Sequence, residues 1–304
     1  MRGLACIAVG GIVWAGLLSL AAAQDMPLSQ VLIDGQGWEL VADGFEFTEG
    51  PAANAEGQLY FTDVRAGKIY RLNASTGQPE VFVEQSDRTN GLMFGPGGKL
   101  FGCCGGKQQI VSIDSAGKFT PIATDAPCND LAVTRAGGVY YTDPLNQKVW
   151  YVNPQGKKRV VDTGIARPNG VILWPDEGTL VVADTLGSHL WTFRVEADGS
   201  LKYKQPYYSL RMVPGQNGSG ADGMTVDSDG RLYVSTHAGL QVLDPTGRMS
   251  GVILKPQDKF LSNVTFAGPD FSTLYVTCSD KLYRRSTKVQ GVRPGGAEKA
   301  AREK

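Results

Sequence analysis

Histidine is nearly missing from this sequence: His189 and His237 are the only two in 304 residues. Its five cysteines form no Cys-x-x-Cys pair. Together these shortages exclude a zinc site built from histidine and cysteine. Charge of one sign is also lacking, since 30 basic and 30 acidic residues cancel. No global field then draws nucleic acid or an anionic membrane, and a small neutral or weakly charged molecule is the expected partner of a monomer. No Gly-x-Ser-x-Gly occurs, so a serine nucleophile on a strand-to-helix elbow is ruled out. Heptads, and strands alternating with long amphipathic helices, are missing as well, which removes coiled coils and parallel α/β sheets.

The one long apolar run, Leu4 to Leu20, lies between Met1-Arg2 and Ala21-Ala22-Ala23. This pattern reads as a signal peptide over residues 1–23, with export to the periplasm or the exterior and no membrane association after cleavage. An uncleaved anchor is the alternative, since the run is near the lower limit for spanning. Four cysteines then remain, Cys103, Cys104, Cys128 and Cys278. Export permits a disulfide between the Cys103/Cys104 pair and Cys128, and buried free thiols are the other reading.

What is abundant is glycine, at 39 residues, with 16 prolines. These punctuate a repeat: a polar residue opens an apolar strand, a Gly turn follows, then an aliphatic–aromatic strand and a third strand. The first copy runs from Glu49-Gly50-Pro51 through Leu59-Tyr60-Phe61-Thr62-Asp63 to Lys68-Ile69-Tyr70-Arg71-Leu72. Later copies open at Asn90, Asn129, Asn169, Asp222 and Asn263, at spacings of 41, 39, 40, 53 and 41 residues. A unit of this length with short β-branched and aromatic strands marks a four-stranded propeller blade. The fold class is therefore all-β, a six-bladed β-propeller over residues 24–288. The sixth unit lacks a fourth strand, so Trp38-Glu39-Leu40-Val41-Ala42 is expected to join it and close the ring. Residues 289–304, rich in Lys, Gly and Pro, are expected to form a disordered tail.

The first strand of a blade is innermost, so the six opening residues ring one end of the central channel. Glu49, Asn90, Asn129, Asn169, Asp222 and Asn263 are all oxygen donors. Asn and Asp often open strands merely by capping turns, yet six in register, two of them carboxylates, point to a shared site. Such a donor set suits one hard divalent cation, Ca²⁺ before Mg²⁺. Asp143 and Asp184, one strand later, are expected in turns. His237 is expected to be a solvated turn residue.

Thr48-Glu49-Gly50-Pro51, Asn129-Asp130, Arg167-Pro168-Asn169-Gly170-Val171 with Trp174-Pro175-Asp176, Val182-Ala183-Asp184-Thr185 and Ala221-Asp222-Gly223-Met224 resemble the gluconolactonase/regucalcin (senescence marker protein) family. The likeness runs from about Phe45 to Tyr283. It implies a six-bladed propeller that binds a divalent cation, with Zn²⁺, Mn²⁺ or Mg²⁺ as alternatives to Ca²⁺, and hydrolyses a lactone or ester. It further implies cation ligation by Glu49, Asn169 and Asp222, with Asn129 as ligand or substrate contact, and Asp222 as the proton-transfer group. Asn90 and Asn263 complete the ring as expected substrate contacts. Two places depart from the family pattern: Pro127 stands where some members carry a substrate-contacting Arg, and Cys103-Cys104-Gly105-Gly106 replaces a more polar stretch. Both bear on the substrate and leave the cation site intact.

A rival class is a non-catalytic propeller with a structural cation and partner-binding rim loops. The long fourth unit, with Tyr207, Tyr208, Arg211 and Met212 ahead of Gly215, would then be the partner loop; in an enzyme it would be a lid.

Overall fold

A computed structural model describes residues 26–294. The expected signal peptide lies outside the described residues. Among the described residues, no helix is long and apolar enough to cross a membrane.

The chain forms six four-stranded antiparallel sheets, arranged as the blades of a propeller. Blade 1 runs from its inner strand Thr48–Ala53 through Leu59–Asp63 and Lys68–Leu72 to the outer strand Pro79–Val83. The inner strands of blades 2 to 6 are Thr89–Phe94, Leu131–Val133, Pro168–Leu173, Met224–Val226 and Leu261–Ala267. Glu39–Asp43 is the outer strand of blade 6, paired antiparallel with Lys281–Ser286. The N-terminal strand thus closes the ring as expected, covering the outer edge that blade 6 would otherwise leave bare.

The core lies between blades rather than at the centre. Second strands such as Leu59–Asp63, Leu100–Cys104 and Val139–Asp143 are buried along their whole length. Their side chains alternate between two faces, and each face meets a different neighbouring blade. In blade 1, Tyr60 packs with Leu92 and Phe94 of blade 2, whereas Phe61 packs with Val264 and Phe266 of blade 6. Each fully buried Leu, Ile, Val or Phe in these layers contributes about 1.5–3 kcal/mol. Alternate residues of one short strand therefore bind two blades, which is why the repeat needs its ring to be stable.

One expectation is corrected. The disordered tail does not begin at Val289. Val289 is buried, Ser228 N–H donates to Gln290 O at 2.7 Å, and Gly291 N–H donates to Phe271 O at 2.8 Å. The Arg293 guanidinium donates to Ala55 O at 3.0 Å and Pro269 O at 2.8 Å and lies over the Phe271 ring. Composition argued for disorder, but turn carbonyls and amides of blades 5, 6 and 1 supply the partners that order this segment. The described part of the domain thus runs past residue 288, to residue 294. The long fourth unit, expected to be a lid or a partner loop, is partly regular strand. Its outer strand extends over nine residues, Leu201–Ser209. The following connection is fastened by Arg211 N–H to Gln241 Oε1 at 2.7 Å and by Gly220 N–H to Thr185 O at 3.0 Å.

Candidate active site

The opening residues occupy equivalent places in their blades. Glu49 pairs opposite Thr62 and Asn263 opposite Thr277, while Asn129 and Asp222 donate their N–H groups to Thr142 O and Ser235 O. Immediately afterwards the ladder slips in blades 1, 2 and 4, between Glu49/Ala52, Thr89/Leu92 and Pro168/Val171. Such bulges bend the strand and re-aim side chains. Neighbouring inner strands converge here so tightly that a β-carbon on Gly170 would lie 2.1 Å from Asp222 O, and one on Gly223 would lie 1.8 Å from Asn263 Oδ1. The polar–Gly dipeptides of the repeat are thus a packing requirement of the site. Hydroxyls tie the ring together: Thr142 Oγ1 donates to Asn169 O at 2.6 Å, and Ser262 Oγ donates to Thr48 O at 2.9 Å.

Glu49, Asn169, Asp222 and Asn263 are all buried. Glu49 is held through Oε2, which accepts Gly50 N–H at 2.7 Å and Asn263 Nδ2 at 3.0 Å. Asn263 in turn accepts Val264 N–H on Oδ1 at 2.8 Å. Its amide thus supports Glu49 through Nδ2. Asn169 donates Nδ2 to Thr185 Oγ1 at 3.1 Å. Thr185 passes its own proton to Ala221 O at 2.9 Å. This fixes the amide orientation and leaves Asn169 Oδ1 buried without a hydrogen-bond partner. The backbone of Asn90 accepts from Thr62 Oγ1 and that of Asn129 from Gly91 N–H. Both residues are half-buried.

Sequence reasoning missed a third carboxylate. Asp130, beside Asn129, accepts Leu131 N–H at 2.8 Å and Val171 N–H at 3.4 Å. Burial, then the nearby charge of Glu49, push its carboxyl up to about 7. Burial also raises Glu49, against the opposing pull of Gly50 N–H and the Asn263 amide. Asp222 is raised well above the usual carboxylate range by burial and then by the charges of Glu49 and Asp130, with Asn169 and Arg167 pulling the other way. Three acids therefore share one buried electrostatic site. The signal for Asp130 was the Asn-Asp dipeptide itself, where blades 1, 2, 4 and 5 have polar–Gly.

Among the described residues, no three His, Cys, Asp or Glu side chains cluster tightly enough to hold a cation alone. A cation here needs amide oxygen as well, and the unpartnered Oδ1 of Asn169 provides it beside acids that burial leaves short of positive charge. The residues fit an oxygen-ligated divalent cation.

Asp143 and Asp184, expected in turns, instead end the buried second strands Val139–Asp143 and Thr179–Asp184, where their carboxylates cap the turns that follow; Asp184 Oδ1 accepts Arg167 N–H at 3.0 Å and so shapes the loop entering blade 4. His237 is half-buried rather than solvated, and its ring fills the space beside Gly220, two residues before Asp222. A cavity of about 410 Å³ follows the axis from Asp130 and Asn263 to the opposite mouth, past Met93, Trp174 and Val292. Glu49, Asn169 and Asp222 are not among the residues that line it.

Fold and site together define a six-bladed propeller with an axial oxygen-donor site. The chain belongs to the family described as SMP-30/Gluconolactonase/LRE-like region, which matches residues 47–280. It is 26% identical over 294 residues to a gluconolactonase of Zymomonas mobilis subsp. mobilis, covering 83% of this chain and 82% of the relative. It is also 26% identical over 239 residues to pentonolactonase XacC of Haloferax volcanii, covering 75% and 80%. Among solved structures, the Xanthomonas campestris gluconolactonase XC5397 superposes with a TM-score of 0.75 at 26% identity, covering 86% of this chain and 92% of that one.

Proposed function

We propose that the protein is an exported, cation-dependent hydrolase of a small lactone or ester. The observation that carries this reading is the axial cluster of Glu49, Asp130 and Asp222 around the unpartnered Oδ1 of Asn169. Likeness to relatives named as gluconolactonase and pentonolactonase supports lactone as the substrate class. The cation, Ca²⁺ in preference to Zn²⁺, Mn²⁺ or Mg²⁺, would be held by Glu49, Asn169 and Asp222 with Asn129, and when bound supplies Lewis-acid polarisation of the carbonyl.

The chain's own residues do the rest. Asp222 takes a proton from the attacking water and returns one to the leaving alkoxide as the ring opens. Without positive charge nearby, burial raises that carboxyl well above the usual range and so disfavours the ionised form that a base requires. Asn263 and Gly50 hold Glu49 in place, and Thr185 orients Asn169. Preorganised dipoles of this kind lower the barrier without reorganising during the reaction. Export rests on the apolar run Leu4 to Leu20 ahead of Ala21-Ala22-Ala23.

Initial rates on a panel of aldonolactones, aryl lactones and simple esters, with each of the four cations and with chelator, test the reading. Turnover that chelator removes and Ca²⁺ restores is expected. A chelator-reversible thermal shift with no turnover of any panel member would favour the non-catalytic rival.

A further inference from the structure

The second strand of blade 2, Leu100–Cys104, ends in two adjacent cysteines. Successive side chains of a strand point to opposite faces, and here the two faces belong to different blade interfaces. Cys104 packs with Ala52 and Tyr60 between blades 1 and 2, and its Sγ reaches toward the carbonyls of Ser86 and Asp87. Cys103 faces the other way, into the cluster between blades 2 and 3, where Cys128 packs against the same group of residues. Cys128 lies in the loop that leaves blade 2 and delivers Asn129 and Asp130 to the axis. Cys128 Sγ reaches toward Gln109 O at 3.6 Å, on the strand that pairs with Leu100–Cys104, which sets it beside the end of that strand. Tyr141, whose hydroxyl is buried without a hydrogen-bond partner, belongs to the same cluster. Cys278 belongs to a separate cluster in blade 6.

We propose that Cys103 and Cys128 are a redox pair that closes to a disulfide under oxidising conditions, joining blade 2 to the loop that carries Asn129 and Asp130. Both cysteines are free thiols in this structure, Cys103 buried and Cys128 partly exposed, so exchange starts at Cys128. Its sulfur attacks a low-molecular-weight disulfide such as oxidised glutathione, forming a mixed disulfide and releasing one thiol. The Cys103 sulfur then displaces the second thiol from Cys128. Two protons and two electrons pass from the pair to the oxidant, which leaves as two reduced thiols. Cys104 cannot substitute, because strand alternation turns it to the other blade interface. The bond closes a segment of some 25 residues and would stiffen the stretch directly ahead of the axial site.

The full-length chain is incubated, folded, with oxidised glutathione, then unfolded in alkylating reagent and mapped by non-reducing peptide mass spectrometry. The expected result is one cross-linked peptide joining Cys103 to Cys128, with three of the five cysteines alkylated. Adding reductant should lower the wild-type melting temperature by roughly 5–10 °C. Cys128→Ser should abolish that reductant-dependent shift, and Cys104→Ser should retain it. Five alkylated cysteines, a peptide pairing Cys104 with Cys128, or glutathione remaining on Cys128 would each overturn the proposal. A melting temperature indifferent to reductant in a chain shown to be cross-linked would overturn the stiffening but not the bond.

Discussion

Asn263 Nδ2 donates to Glu49 Oε2 at 3.0 Å across 214 residues of sequence. The contact joins the last blade to the first at the level of the axial site, so ring closure and the placement of Glu49 are one event. Asn263→Ala removes this hydrogen bond and should free Glu49 to rotate. Cation affinity measured by calorimetry is expected to fall about 10–100-fold. An unchanged affinity would mean that Gly50 N–H alone suffices to hold the carboxylate.

Asp222 makes opposite predictions for activity and stability. Asp222→Asn keeps the shape and removes the proton acceptor, so kcat on any lactone substrate should drop by about 10³-fold or more. Removing one of three mutually repelling buried acids should raise the melting temperature of the chelated protein. Steady-state kinetics and thermal melts of the same preparation check both signs together.

The shared burial of the acids predicts how stability depends on pH. Asp130 has an ordinary value of 3.8 and is pushed up to about 7 in the fold. The folded chain therefore keeps a proton that the unfolded chain releases, and stability falls as pH rises between these two values. Glu49 and Asp222 are raised too and act in the same direction. His237, lowered by burial and then by Lys255, acts in the opposite direction. Subtracting the melting temperature in chelator from that in Ca²⁺ isolates the axial acids. That difference is expected to widen from pH 5 to pH 8, and a constant difference would argue against a cation among them.

Thr185 is a positioning residue, since it acts through Asn169 and Ala221. Thr185→Val removes both hydrogen bonds at nearly constant volume, costing about 1–3 kcal/mol of the arrangement they hold. The expected outcome is a rise of about tenfold in the Ca²⁺ concentration needed for half-maximal activity, with rescue by Thr185→Ser. A merely structural role would lower the melting temperature without moving that Ca²⁺ dependence.

Much of this was legible because a propeller repeats its reasons. The polar residue, Gly turn and aliphatic–aromatic strand recur, and their spacing alone puts Glu49, Asn169 and Asp222 at equivalent openings of inner strands. The closing strand was legible for a related cause: a sixth unit one strand short leaves an edge that Glu39–Asp43 is placed to cover. Composition misled at the C-terminus, where Gly291 and Arg293 look like linker residues but find turn carbonyls and amides to bond.

The linear pattern determined the number of blades, their register and which oxygens face the axis, because strand periodicity and turn chemistry are local properties. It could not separate the members of that ring. Asn263 supports Glu49 because its Nδ2 reaches that carboxylate across the ring closure. Asn169 presents an unpartnered oxygen because Thr185 takes its nitrogen. Asp130 joined the site through donors and charges from blades 1 and 4. Those roles depend on contacts between blades far apart in sequence, and only the closed ring brings them within hydrogen-bonding distance.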